Sequence, residues 1–373
     1  MMRALNRRTV LFGLGAGCML AHRLPAGLAD ENLEAAAQLL TTATEQGKVH
    51  SAALYVRAGA KVFTRAFGQV PSADAAFLLG SISKPVVIAA LMTLYDQGVF
   101  DLEDRVQKYL PEFRGDQRSR VTVRHLLTHV SGLPDQLPHN ATLRSQHAPL
   151  SAFVEGALRV PLGFEPGTKY EYSSMAILLA AEIGRRLAAA DDIRPWVSQT
   201  VLEPLGMSHS ALGVGSLSAE QMVRAQVEFG AEEAGGGSAE SRTWDWNSEY
   251  WRQLGAPWGG LHASAGDVAL FLQEFLHPQG KLFRPEVAHL MVRNHNPPGL
   301  ESRGLGFDVG LEASCPGCSP PAFGHTGSTG TIAWADPQRD RLCVVLTSLP
   351  GRAMEPGEHP RQRVSDHIAA MGD

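Results

Sequence analysis

Apolar positions recur along this chain with two different periods, and the period changes twice. From Asp30 to Gln46, Leu and Ala fall at helical spacing, which predicts a surface helix packed on a sheet. Alternation then takes over. Ser51–Arg57 and Lys61–Phe67 read as strands, with Ala58-Gly59-Ala60 as the hairpin turn between them. A helix opens at Ser81 and ends near Gly98, and the middle of the chain stays mainly helical. Val121–His129 starts at a Thr cap and is closed by Ser131-Gly132-Leu133-Pro134. Met175–Leu187 follows a turn at Glu165-Pro166-Gly167, and Val268–Phe275 follows the capping box Ser264-Ala265-Gly266-Asp267. Strand character returns in Gly304–Leu311, Thr331–Ala335 and Leu342–Leu349, with Asp336-Pro337-Gln338-Arg339-Asp340 turning between the last two, and a short helix follows Pro360. Strands at both ends around a helical middle predict an α/β (α+β) chain. Its antiparallel sheet comes from residues of about 30–80 and 300–373, and a helical lobe from about 95–290 is inserted between them.

Composition narrows the function more than the fold. At 373 residues and 44% apolar, the chain can bury a substantial core. A net charge of -5, with both signs mixed, gives no stripe for nucleic acid and no polybasic membrane patch, so neither partner is expected. Residues 1–29 read as a twin-arginine export signal. Arg7-Arg8-Thr9 meets a short apolar run, and Ala26-Gly27-Leu28-Ala29 supplies small residues for cleavage. That run is too short to span a bilayer, so no stable membrane span is expected after its removal. The mature charge becomes -9, and the expected location is periplasmic or secreted. Outside the cytoplasm, Cys315-Pro316-Gly317-Cys318 has the spacing for a small disulfide loop, while its setting does not suit a redox or zinc motif.

The candidate chemistry begins at Ser81-Ile82-Ser83-Lys84. Ser81 and Lys84 stand three apart on a helix and share a face, and a serine hydroxyl needs a nearby base that a partly desolvated lysine can provide. None of the other five lysines has Ser or Thr three places before it. His125 and His129 have the i, i+4 spacing of a zinc pair, yet no Glu follows His125 and no third ligand is evident, so packing or backbone-bonding histidines are expected and no metal is. Phe229–Trp251 reads as a long loop carrying Trp244, Trp246, Tyr250 and Trp251, which pack on their own domain or form a rim over a cleft.

Three separated motifs then fall in order: Ser81-Ile82-Ser83-Lys84, Tyr172-Ser173-Ser174 and His325-Thr326-Gly327. With Pro166-Gly167-Thr168, Trp258-Gly259-Gly260-Leu261 and Gly324–Gly330, the chain from about residue 35 to its C-terminal helix resembles the penicillin-recognising serine hydrolases. The resemblance is to their class C β-lactamase and D-alanyl-D-alanine carboxypeptidase branch. It implies a β-lactamase/transpeptidase-like fold, with about five antiparallel strands, flanking helices, an all-helical lobe and the site between them. It also implies Ser81 as nucleophile, Lys84 beside it, and Tyr172 as base or proton shuttle with its phenol kept acidic by Lys84 and His325. The backbone N–H groups of Ser81 and Ser328 would form an oxyanion hole, and Ser174, Thr326 and Gly327 would meet a small-molecule or short-peptide substrate. No cofactor is implied.

Two departures redirect the expectation. The second motif usually ends in Asn, and Ser174 stands there instead; the third begins with His325 in place of the Lys common in class C β-lactamases. The shorter Ser174 hydroxyl weakens the case for cephalosporin or peptide recognition, a His at the third motif is found in carboxypeptidases, esterases and D-amino-acid peptidases of the family, and both move the expectation away from a dedicated β-lactamase. A carboxylesterase or lactonase is the alternative on the same scaffold, and a non-catalytic penicillin-binding or sensor protein is the third reading.

Overall fold

A computed structural model describes residues 26–310, 315–355 and 357–372. Residues 1–25 of the expected export signal lie outside the described residues, and Ala26–Ala29 begin the first helix, Ala26–Glu45. The strands are β1 (Ser51–Ala58), β2 (Lys61–Gly68), β3 (Phe77–Leu78), β4 (Ser210–Leu212), β5 (Leu261–Ala263), β6 (Asp308–Val309), β7 (Phe323–Gly327), β8 (Thr331–Asp336) and β9 (Arg341–Thr347). Six of them form one antiparallel sheet in the order β2-β1-β9-β8-β7-β6, which brings the two ends of the described chain side by side. The sheet has one strand more than the five expected, because the short β6 pairs with β7.

The run Leu342-Cys343-Val344-Val345-Leu346 is apolar throughout because β9 is covered on both faces. Successive side chains point to opposite faces of a strand. Leu342, Val344 and Leu346 enter the larger core, whereas Cys343 and Val345 enter a second one. That second core lies under the helices Ala26–Glu45 and Pro360–Ala370, which supply Leu33, Leu40, Val364 and Ile368. On the other side the helix Ser83–Asp96 is buried all round from Ser83 to Leu94, so it forms the central post of the molecule. Beside it packs the helix Ser174–Leu187.

Four points differ from expectation. Of the expected strand Gly304–Leu311, Leu311 lies outside the described residues, and the rest is not one strand: Gly306 takes φ +85° and the Gly304 N–H bonds the Phe307 carbonyl, so the chain turns before β6, which pairs with β7 at Asp308–Val309. The Phe229–Trp251 loop is shorter than expected, since Ser248 caps a helix at Glu249–Leu254 by accepting the Trp251 N–H at 3.1 Å. A small sheet, β3-β5-β4, was not anticipated; its strands are two or three residues long and too short to show a period. Cys315 and Cys318 are buried free thiols, not a closed loop.

Candidate active site

Backbone bonds aim Ser81 before its neighbours do anything chemical. β3 ends at Leu78, and Gly80, at φ +57°, turns the chain into a short 3-10 turn, Gly80–Ile82, which runs on into the helix Ser83–Asp96. The β7–β8 turn clamps this approach: Thr329 Oγ1 donates to the Leu78 carbonyl and Thr331 Oγ1 to the Leu79 carbonyl, each at 2.7 Å. Ser83 Oγ donates to the Gly80 carbonyl at 2.6 Å and accepts the Leu261 N–H at 3.0 Å, tying β5 to the same turn. The helix therefore starts two residues after Ser81, and Ser81 sits on the turn that leads into it.

Lys84 is fully buried, with Nζ 2.8 Å from Ser81 Oγ and 2.9 Å from the Trp258 carbonyl oxygen. The second contact explains the Trp258-Gly259-Gly260-Leu261 stretch, which puts a carbonyl where the ammonium needs an acceptor. Burial lowers the Lys84 pKa to about 7; Asp135 opposes that shift and Arg303 adds to it. Nζ also lies 4.8 Å from the centre of the Tyr172 ring. A base near neutrality touching a serine hydroxyl can take its proton.

Tyr172 is close to both, but not as an acidic phenol. Its hydroxyl is buried, and burial pushes its pKa well above the usual tyrosine value, with Arg303 and Ser81 opposing. This corrects the expectation that Lys84 and His325 keep it acidic, because desolvation outweighs the neighbouring cations. His325 is also buried. Its Nδ1 lies 2.7 Å from the Thr326 carbonyl, its Nε2 lies 2.7 Å from Arg303 Nη2, and burial together with Arg303 and Lys84 holds its pKa well below the usual histidine value. The ring centres of His325 and Tyr172 are 6.1 Å apart. His325 thus stands behind Tyr172 and touches Arg303. Arg303 pairs with Asp308 and lies 5.5 Å from the Tyr172 ring centre.

The zinc-spaced histidines bind backbone. His125 Nδ1 accepts the Thr122 N–H within a capping box, and burial lowers its pKa to about 4. His129 Nδ1 accepts the Ser173 N–H at 3.1 Å and its ring lies 4.6 Å from that of Tyr172.

Ser81, Tyr172, Ser174 and Ser328 line one cavity of about 300 Å³, whereas Thr326 and Gly327, on β7, do not line it. Ser174 is buried and its hydroxyl is not free: Oγ donates to Asp135 Oδ1 at 2.6 Å, which also accepts the Ser174 N–H at 2.9 Å. Sequence reasoning missed Asp135, Arg144, Arg303 and Arg361. Asp135 directly follows the helix-closing Ser131-Gly132-Leu133-Pro134, the one local hint; Arg303 stands in an aperiodic segment that offers none. Of the loop tryptophans, Trp246 and Trp251 are buried in the cavity wall and Trp244 is not. A larger open cleft of about 870 Å³ lies over Leu150–Arg159 and Glu182–Arg194 and contains none of the expected site residues.

Residues 36–367 match the family model described as Beta-lactamase. The chain belongs to this family. Among curated relatives, a protein named "Putative D-alanyl-D-alanine carboxypeptidase" from Salmonella agona is 27% identical over 288 residues, covering 70% of this chain and 66% of that relative, just under two thirds of its length. The fold is similar to that of a penicillin-binding protein homologue from Caulobacter crescentus, at TM-score 0.71 and 20% identity over 91% of this chain and 97% of that one. It is also similar to EstCE1, a hydrolase with promiscuous acyltransferase activity, at TM-score 0.72 and 21% identity over 92% and 99%. Among the described residues, no helix is long and apolar enough to cross a membrane.

Proposed function

We propose that this protein is an exported hydrolase working through an acyl-enzyme on Ser81, between the sheet and helical lobes, with a D-amino-acid peptide, a β-lactam or a small ester as substrate. The observation that carries the reading is the 2.8 Å contact between Ser81 Oγ and a buried lysine whose pKa is about 7. Neutral Lys84 takes the Ser81 proton as Oγ attacks the carbonyl carbon. The tetrahedral oxyanion is held by the N–H groups of Ser81 and Ser328, and a Cβ on Gly80 would stand 3.2 Å from the Ser328 nitrogen, so the two residues adjoin. Collapse expels the leaving group, which takes a proton from the neutral Tyr172 phenol, and the Lys84 ammonium returns one to Tyr172. Water then repeats the attack on the ester and frees Ser81. His325 positions Arg303 behind Tyr172, and Thr326 and Gly327 back the wall that receives the substrate. The carboxypeptidase-named relatives support the peptide reading.

A carboxylesterase or lactonase is the second reading, favoured by Ser174. Its hydroxyl is committed to Asp135, so the amide contact an Asn provides at that motif position has no substitute there. The deciding experiment incubates the mature protein with a simple penicillin and follows intact mass, beside Ser81→Ala. An adduct on the wild type alone supports the acyl-enzyme, and its lifetime separates peptidase from β-lactamase behaviour. An adduct of equal size on Ser81→Ala removes Ser81 from the mechanism. Without any adduct, an ester panel tests the second reading.

A further inference from the structure

The wall of the candidate active-site cavity carries a guanidinium with no acidic partner among the described residues. Arg144, on the short helix Asn140–Ser145, is 3% exposed and lines the cavity together with Trp246 and Trp251. Its guanidinium carbon lies over the Trp251 ring, 4.1 Å from the ring centre, a cation–π contact. Its Nε and Nη1 are buried without a hydrogen-bond partner, and among the described residues Arg144 makes no ion pair. Glu233, whose charge reaches it, also lines the cavity but is not paired with it. Burial lowers the Arg144 pKa only to about 10, so the group is cationic at neutral pH.

A buried, unpaired guanidinium carries a desolvation cost that a merely structural role would recover through bonds to backbone or carboxylate. Arg361, also at this cavity, shows the contrast, since it donates to the carbonyls of Gly327 and Thr331. Arg144 instead lies over Trp251 and lines the cavity with Nε and Nη1 unpartnered, a fork with donors to spare for a planar anion. We infer that Arg144 and Trp251 form a subsite for a carboxylate on the substrate, at the tryptophan-lined wall of the cavity and not at β7. The substrate class is therefore an ester or amide with a free carboxylate remote from the bond that is cut. The assignment rests on the Ser81 reading for what is cut, but not for what is bound.

The test measures calorimetric binding of succinate, glutarate, adipate and suberate, each beside its uncharged diamide, to the full protein in the Ser81→Ala background. The series covers the unknown reach between charge and carbonyl. At least one diacid is expected to bind tenfold or more tighter than its diamide, with a margin that shrinks as salt is raised. Adding Arg144→Gln should bring the pair within about twofold, and Arg144→Lys, which keeps charge but not the fork, should restore part of the margin. Should Arg144→Gln misfold by circular dichroism, the Arg144→Lys margin and the salt dependence carry the decision. Diacids and diamides binding alike to the parent protein, or a charge preference that survives Arg144→Gln, would overturn the subsite. Failure of Ser81 to form an adduct with penicillin and with every ester of the panel, by contrast, removes the acyl-enzyme and leaves this binding result standing.

Discussion

His325 accepts a hydrogen bond from Arg303: Nε2 lies 2.7 Å from Nη2, while Nδ1–H is turned to the Thr326 carbonyl, also at 2.7 Å. Both ring nitrogens are therefore committed, and the imidazole is a neutral acceptor and not a cation. Its service is to hold the guanidinium beside Tyr172, where it helps to lower the Lys84 pKa. His325→Leu leaves Nη2 buried without that acceptor, at a cost of about 1–3 kcal/mol in unfolding free energy. His325→Gln, which can accept again, should recover part of it. Urea titration of the three proteins checks this, and equal midpoints would remove the Arg303 contact from the stability account.

On the proposed mechanism Lys84 sets the pH dependence. As a base it must be neutral, so kcat/KM should rise with pH through about 7 and level off above it. Asp135 raises the Lys84 pKa, so Asp135→Asn should move the rising limb to lower pH. The stability sign follows from the same shift. Between about 7 and 10.5 the unfolded chain holds a proton on this lysine that the folded protein has released, so stability rises with pH across that window relative to Lys84→Met. Initial rates from pH 5 to 9 on one ester suffice for the activity part, and a limb that stays in place in Asp135→Asn would contradict it.

How much of this the sequence reveals depends on how local each cause is. The β1–β2 hairpin, the Thr122 cap and the β8–β9 turn are legible because period, cap and turn residues lie within a few positions of one another. Ser81 and Lys84 are legible for the same reason, being one helical turn apart. Arg303, Asp135 and Arg144 are not. Each matters through a partner far along the chain: Arg303 through His325, Asp135 through Ser174 and Arg144 through Trp251. The raised Tyr172 pKa is equally hidden, because burial is a property of the whole fold and the motif gives only the cations nearby.

Tyr172 should matter to rate more than to bond formation. On the proposed mechanism its neutral phenol relays a proton to the leaving group while Lys84 alone suffices to activate Ser81. Tyr172→Phe is therefore expected to slow turnover on the order of 10²–10⁴ and still to form the Ser81 adduct. Rapid-quench mass spectrometry separates the two steps. An adduct lost completely, in a variant that remains folded, would make Tyr172 and not Lys84 the base.

The β7–β8 turn is the last point at which a small change should reach Ser81. Thr331 Oγ1 donates to the Leu79 carbonyl two residues before the nucleophile, and the Gly327 backbone runs so close that a side chain there would enter that same carbonyl oxygen. Gly327→Ala must push the Leu79–Ser81 segment away from β7, at an overpacking cost of about 1–3 kcal/mol. Displacing a nucleophile by about 1 Å can cost on the order of 10²-fold in rate, so labelling of Ser81 by penicillin should slow far more than the stability loss alone explains. Thr331→Ser keeps the hydroxyl and should label at close to the parent rate, whereas Thr331→Val loses the bond and should fall between the two. If the three variants label at rates that simply follow their melting temperatures, the turn is structural support only and does not aim Ser81.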